Sequence, residues 1–346
     1  MIDLKNYICD VPFNSLEIHN NICFLCCPSW LPQPIEISGG NVKDIFNLDQ
    51  VNDIRNSILD GSYKYCDKKQ CPHLSKLINN GVATGPIKSI EDSQHKKSKK
   101  KYYPEYIVMN FDRTCNYKCP SCRVDLIVEN SGGIKRIEKT IEEIDEYYSA
   151  NVKTIYITGS GDPFVSVSFR NYLKNFNPKK YPKLNKIHLH TNASMWNEEM
   201  WESMPNIHKY VRSCEISIDA ATKETYETKT RLGGNWDNLL KNLKFINTIK
   251  SLGRIKTSFV VQDTNYTEME MFYNLMISIF GKKVDVFYGK ITNWGTYSNS
   301  EFAIKKIWDK NHPEFNLFKK EFNKIWNKPS VQHNMYEFIE YKKTLI

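Results

Sequence analysis

The chain lacks any apolar run near the roughly 18 residues that would suggest a membrane span. Its opening stretch, MIDLKNYICD, has no basic segment followed by an apolar one. No signal peptide is therefore expected, and a cytoplasmic location is the expectation. Arginine-rich stripes with interleaved aromatics are also missing, and no internal repeat occurs. The net charge is +9, from 48 Lys and Arg against 39 Asp and Glu. Without such a stripe, that charge does not predict nucleic-acid binding. A hydrophobic share of 40% and a charged share of 25% exclude a disordered chain, a collagen and a small disulfide scaffold. At roughly 150 residues per domain, the length leaves room for about two domains.

Cysteine is what the chain has in number: ten, at positions 9, 23, 26, 27, 66, 71, 115, 119, 122 and 214. With no secretory signal, clustered cysteines point to metal binding or catalysis rather than to disulfides.

Four regions are expected. Residues 1–90 form a small Cys-rich N-terminal domain. Its stretch from Cys23 to Gly40 is dense in Cys, Pro and Gly and predicts turns and short strands. Asn52 to Leu59 predicts a short helix ended by Asp60-Gly61. Residues 91–103, with the Lys-rich EDSQHKKSKKK, read as a solvated linker. Residues 104–295 alternate strand and helix patterns. Strands are expected at 106–111, 154–158, 187–191, 215–219, 257–261 and 284–288. Helical spacing is carried by Ile137, Ile141, Ile144 and Tyr148, by 164–176, by Trp236 to Ile249, and by Phe272 to Ile279. The fold class is therefore α/β, a parallel sheet with right-handed crossovers whose six units can close partly into a barrel. Chemistry in such folds gathers at the C-terminal strand ends. Residues 296–346 are expected to be a helical extension.

The first strand runs into Cys115-Asn116-Tyr117-Lys118-Cys119-Pro120-Ser121-Cys122, a C-x3-C-x2-C spacing. Three thiolates can wrap one inorganic centre. A structural zinc would want a fourth ligand, and the loop offers none. A [4Fe-4S] cluster held by three thiolates keeps one iron open, free to chelate an amine and a carboxylate.

This spacing at the end of a first strand resembles the radical S-adenosylmethionine (SAM) superfamily. Gly159-Ser160-Gly161-Asp162-Pro163 is similar to the family's glycine-rich loop, and His190-Thr191-Asn192 to its ribose-contacting region. Ser217-Ile218-Asp219, followed by Tyr226, Arg231, Gly233 and Gly234, is similar to members that carry an extra cluster domain. Gln262 and Asn265 stand at the expected end of the fifth strand. The resemblance covers about residues 104–290. Two positions depart from it: Ser121 replaces the usual aromatic, and Asp162 replaces the Glu of many members.

The resemblance implies a partial (β/α)6 barrel of radical SAM type with a [4Fe-4S] cluster on Cys115, Cys119 and Cys122. It further implies SAM held by Gly159, Ser160, Gly161, Asp162, Asn192, Ser217, Asp219, Arg231 and Gln262. Read from the residues alone, Gly159 and Gly161 are equally turn glycines, and His188 and His190 are interior histidines. Ser217 and Asp219 share a strand face. Cys214 has the parity of Ile216 and Ile218 and reads as a buried structural thiol.

The N-terminal cysteines look like a truncated SPASM-type auxiliary domain placed before the catalytic domain instead of after it. Cys9, Cys27, Cys66 and Cys71 are the expected ligands of a second [4Fe-4S] cluster. Cys26 competes with Cys27, and Cys23 is spare. A zinc knuckle on the same residues is the alternative.

The function implied is reductive cleavage of SAM and abstraction of a substrate hydrogen atom. The outcome would be oxidation or epimerisation of a small substrate such as a sugar or nucleotide-linked sugar. Maturation of a ribosomally made peptide is the alternative. An external one-electron donor such as a flavodoxin or ferredoxin is expected, with no membrane. No catalytic side chain is assigned, although Lys290, Tyr288, Gln262 and His190 are candidates to line a substrate pocket. A reading of another class is a zinc-binding structural module that contacts a polyanion through the Lys96–Lys101 run.

Overall fold

A computed structural model describes residues 2–37, 41–95 and 101–338. The lysines at 96–100, within the expected linker, lie outside them. The chain forms two compact units.

The first comprises Met1–Asp112, Glu129–Ser160 and Asn175–Ile187. Its strands are β1 (Tyr7–Cys9), β2 (Ser15–Ile18), β3 (Ile22–Phe24), β4 (Ile35–Glu36), β5 (Ile87–Ser89), β6 (Tyr106–Met109) and β7 (Thr154–Ile157). β6 lies parallel to β7, with Met109 opposite Ile157, and parallel to β2, with Met109 opposite Ile18. β3 and β4 continue antiparallel from β2, and β1 pairs with β5 apart from the others. Residues 15–18 of the Cys-rich segment thus extend the sheet of the strand–helix repeats. The short strand does not stand out in sequence, but Leu16 and Ile18 have no exposed surface, so its pairing buries them. The helix Ser131–Tyr147 starts where the Asn130 side chain accepts the Gly133 N–H, and it buries Ile137, Ile141 and Ile144. The helix Asp49–Leu59 ends at Asp60, as its sequence predicts.

The second unit comprises Arg113–Val128, Gly161–Lys174 and His188–Ile346. Its strands are β8 (Lys186–Thr191, whose first two residues belong to the first unit), β9 (Val211–Ser217), β10 (Arg254–Val261), β11 (Val284–Lys290) and β12 (Val331–His333). β9, β10, β11 and β12 are parallel in that order. The expected helical extension is corrected here. It holds the helices Asn299–Lys305 and Phe315–Asn323, but also β12, which pairs beside β11. Three residues are too few to carry a period-2 signal. The fourth strand is also shifted: it ends at Ser217, and Asp219 has a left-handed φ of 61°. Ser217 and Asp219 therefore do not share a strand face.

The two faces of these strands differ. Ile187, Leu189, Cys214, Ile216 and Phe259 are all buried, Cys214 as expected from its parity. His188, His190, Ser213, Glu215, Ser217 and Lys256 alternate with them and are half-buried. The helix Trp236–Thr248, capped by the Asn235 side chain on Asn238 N–H, buries Leu239, Leu243 and Ile246. Each such aliphatic side chain contributes about 1.5–3 kcal/mol by leaving water. One polar residue shares that face. Asn242, 1% exposed, donates to the carbonyls of Ala193 (2.8 Å) and Ser194 (2.9 Å), fixing the loop that follows β8. Among the described residues, no helix is long and apolar enough to cross a membrane.

Asn242→Ala removes one donor from each carbonyl, Ser194 O keeping Asn238 Nδ2 and Ala193 O keeping the Trp196 N–H, and is expected to cost about 0.5–1.5 kcal/mol in urea unfolding. A loss too small to resolve would show that other donors take its place.

Candidate functional site

The loop 113–122 has neither helix nor strand, and main-chain hydrogen bonds shape it. Cys115 N–H donates to Ile127 O at 3.0 Å, and Cys122 and Arg123 N–H both donate to Cys119 O. Lys118 N–H donates to Leu232 O at 2.9 Å, which ties the loop to the segment after Arg231. Each of the three thiols then receives one N–H donor. Asn192 Nδ2 lies 3.6 Å from Cys115 Sγ, Arg231 Nη1 3.5 Å from Cys119 Sγ, and Arg123 Nη2 3.5 Å from Cys122 Sγ. Burial pushes the pKa of Cys115 and Cys119 up, and each is raised further by a neighbouring thiol of the set. The sulfurs thus sit in one electrostatic neighbourhood, among donors suited to charged thiolates.

Arg231 is held by a buried partner. Its Nη2 meets Asp219 Oδ2 at 2.7 Å, and both side chains are almost fully buried. Burial opposes the guanidinium charge, but Asp219 and Cys119 outweigh it and raise the Arg231 pKa. Asp219 Oδ1 also accepts Val260 N–H at 2.7 Å, while Asn265 Nδ2 donates to Asp219 O. The approach to Arg231 is a widened, π-type turn at Tyr226–Thr230, a form often seen at functional sites. The Tyr226 hydroxyl lies 3.1 Å from that of Tyr117 in the cysteine loop. Gly233 has φ 92°, and a Cβ there would lie 3.2 Å from Asn116 O. On Gly234 it would lie 2.6 Å from Tyr226 Cε1 and 2.8 Å from Arg231 O. Only glycine fits at such spacing.

Asp162 is 1% exposed and takes up its carboxylate within the scaffold. It accepts from Phe164 N–H, Thr191 Oγ1 and Asn192 N–H, so it fixes the end of β8. Burial pushes its pKa up against those donors. Gly159 and Ser160 belong to the first unit. There Gly159 N–H donates to Asn110 Oδ1, and Ser160 Oγ donates to Asn110 O. Gly161 belongs to the second. Gln262 is buried, and its N–H donates to Asn265 Oδ1. Ser217 Oγ lies 2.9 Å from His190 Nε2 and 3.3 Å from Ser258 Oγ. Farther down the same face, Lys256 pairs with Glu215 at 3.0 Å and lies over the Phe287 ring. Burial raises the Glu215 pKa, yet His190 and Lys256 bring it below the ordinary value. Of the other pocket candidates, Tyr288 is buried with its hydroxyl donating to Met269 O, and Lys290 pairs with Glu337.

In the first unit, Cys9, Cys26, Cys66 and Cys71 gather. All six pairs among them are close enough for one ionised sulfur to raise another's pKa. Burial, the largest cause, and these neighbours push Cys9 and Cys66 up to about 12. Cys23 is raised by burial. The structure brings Cys26 together with Cys9, Cys66 and Cys71, and Cys27, the ligand expected from sequence, adjoins Cys26 in the chain. Among the described residues, no group of three or more His, Cys, Asp or Glu encloses the position of a single metal ion. A four-iron cluster places each thiolate on a separate iron, a wider arrangement.

Sequence reasoning did not single out Arg123, Asn116 or Glu268. Glu268 accepts from Ala221 N–H, Thr222 N–H and the Thr222 and Thr225 hydroxyls, and so anchors the segment leading to Arg231. Arg123 directly follows the third cysteine, which was its only available signal.

Residues 109–276 match the family described as Radical SAM superfamily. No curated protein matches. Among solved structures, Streptococcus suis SuiB bound to precursor peptide SuiA is 15% identical at a TM-score of 0.47, covering 97% of this chain and 76% of that one. The structure titled native anSMEcpe with bound AdoMet is 15% identical at 0.39, covering 53% and 50%. TYW1 with a lysine-pyruvate adduct is 15% identical at 0.35, covering 61% and 70%.

Removing Arg231 leaves Asp219 buried and uncompensated. Arg231→Met is expected to destabilise by about 3–5 kcal/mol, and adding Asp219→Asn to restore part of the loss. Calorimetric unfolding of both variants checks this, and a double variant no better than the single one contradicts it. Burial lowers the His190 pKa below 6.5. The folded state then binds fewer protons than the unfolded one, so stability is present above that pH and lost as pH falls. His190→Gln is expected to flatten this acid-side loss relative to the parent chain. Parallel urea curves at all pH values would refute it.

Proposed function

We propose that this chain, whose residues 109–276 match the Radical SAM superfamily, is a member of it and an enzyme that takes a hydrogen atom from a small polar substrate. The observation that carries this reading is that each thiol of the C-x3-C-x2-C loop has its own N–H donor. That donor set fits a [4Fe-4S] cluster on Cys115, Cys119 and Cys122. When bound, the cluster and SAM supply the one-electron chemistry that makes an unactivated C–H bond reactive.

The chain's own residues place and insulate. Arg231, Arg123 and Asn192 balance thiolate charge in a buried setting, where each such interaction counts for more than in water. Within the second unit, Gly161, Asn192, Ser217, Arg231 and Gln262 are the proposed surroundings of SAM. Asp162 and Asp219 act one step back, by holding Asn192 and Arg231. The small hydroxyl-bearing substrate, such as a sugar, is proposed on the polar character of the half-buried row of His188, His190, Glu215 and Lys256, whose groups pair with one another and with Ser213 and Ser217. Oxidation and epimerisation both remain within this reading. In the first unit, Cys9, Cys26, Cys66 and Cys71 are the proposed ligands of a second [4Fe-4S] cluster.

Anaerobically purified protein is expected to carry about eight irons and about eight sulfides per chain. Cys26→Ser is expected to fall to about four irons, and Cys27→Ser to stay at about eight. About four irons with about one zinc would make the N-terminal site a zinc knuckle. Zinc alone, or no SAM cleavage under dithionite, overturns the enzyme. Formation of 5′-deoxyadenosine with peptides but not with sugar nucleotides overturns the substrate class.

A further inference from the structure

Hydrogen abstraction at this site needs an electron from outside the chain, so a surface for the electron's carrier rests on the proposed function. Of the three thiols, Cys115 is 8% and Cys119 5% exposed, whereas Cys122 lies at the surface. On that reading, Cys122 would be the edge of the cluster nearest solution. The chain leaving Cys122 is unusual in what it shows to water: Val124 is 61%, Leu126 58% and Val128 73% exposed. Three aliphatic side chains within five residues, on a segment that is neither helix nor strand, are costly to leave uncovered. Exposed Arg113 precedes the cysteine loop, and exposed Lys118 within that loop pairs at 3.3 Å with exposed Asp125 of the strip. Beneath them, Arg123 donates to Cys122 Sγ.

We propose that Val124, Leu126 and Val128, with Arg113 and Lys118 at their rim, are the docking surface for an acidic one-electron carrier protein. Redox encounters are weak and bury little area, which a strip of this size satisfies. An apolar centre with a charged rim is the usual make-up of an interface. Cationic residues at the rim, on a chain of net charge +9, steer an acidic partner toward it. The strip is also continuous with the one exposed ligand thiol, so docking brings the carrier to the place where the electron enters.

The test uses the iron-loaded full chain and a flavodoxin as probe. Calorimetry measures flavodoxin affinity, and rapid mixing measures cluster reduction by reduced flavodoxin and, separately, by dithionite. The variant Val124→Asp/Leu126→Asp is expected to bind flavodoxin at least about tenfold more weakly and to be reduced by it correspondingly slowly. Lys118→Glu should act in the same direction, and its parent affinity should fall with salt. Dithionite reduction should stay unchanged in both variants. Ile304→Asp, at an exposed aliphatic residue elsewhere, should alter nothing. Unchanged flavodoxin affinity in the double variant overturns the proposal. So does a parallel loss of dithionite reduction, or a parent dimer that the double variant dissociates in sedimentation, since the strip would then belong to the site's own structure or to a second copy. A chain without iron, or one that fails to cleave SAM with dithionite, instead refutes the enzyme reading on which this surface rests.

Discussion

A buried charge must be matched where it stands, and the Asp219–Arg231 pair is where this chain meets that requirement. Asp219 adopts a left-handed conformation immediately beyond β9, which turns its carboxylate toward both the Val260 N–H and the guanidinium. Arg231, locked in this way, reaches Cys119. Gly233, at φ 92°, lies close against Asn116 of the cysteine loop, and Gly234 has no room for a Cβ against Tyr226 and the Arg231 carbonyl. Disturbing either charge would therefore loosen the Cys119 thiol, the loop around it and the end of two strands together.

The sheet of the second unit separates two tasks by parity. Side chains of one parity are apolar and buried, and their transfer from water stabilises the unit. Those of the other parity are His, Ser, Glu and Lys, linked to each other by hydrogen bonds and an ion pair. Asn242 and Asp162 bridge the tasks. Each is a polar group spent on the backbone of the loop after β8, and that loop supplies Asn192 to Cys115.

The strand–helix alternation and the three-cysteine spacing were legible because both are local patterns. The strands from β6 to β11 and their intervening helices fall close to where hydrophobic periodicity puts them. Long-range features were not legible. Cys26 and Cys27 are adjacent, and only the fold decides which one faces Cys9, Cys66 and Cys71. The pairing of β2 with β6, and of β12 with β11, joins short segments that carry no period of their own. Arg123 and Glu268 are ordinary charged residues until their partners are in place. Asp162 reads as a cofactor contact in a glycine-rich loop, yet its oxygens are occupied by that loop and the next.

The tight seating of Gly233 and Gly234 also bears on the order of biogenesis. The cysteine loop emerges from the ribosome more than a hundred residues before the segment that braces it. A nascent chain that ends before Gly234 has all three thiols but neither Arg231 nor the Leu232 carbonyl that receives Lys118 N–H. The cysteine loop reaches its final shape only once β9 and the turn beyond it have been made. The groups that surround its three thiols are therefore complete only after most strands of the chain have been translated.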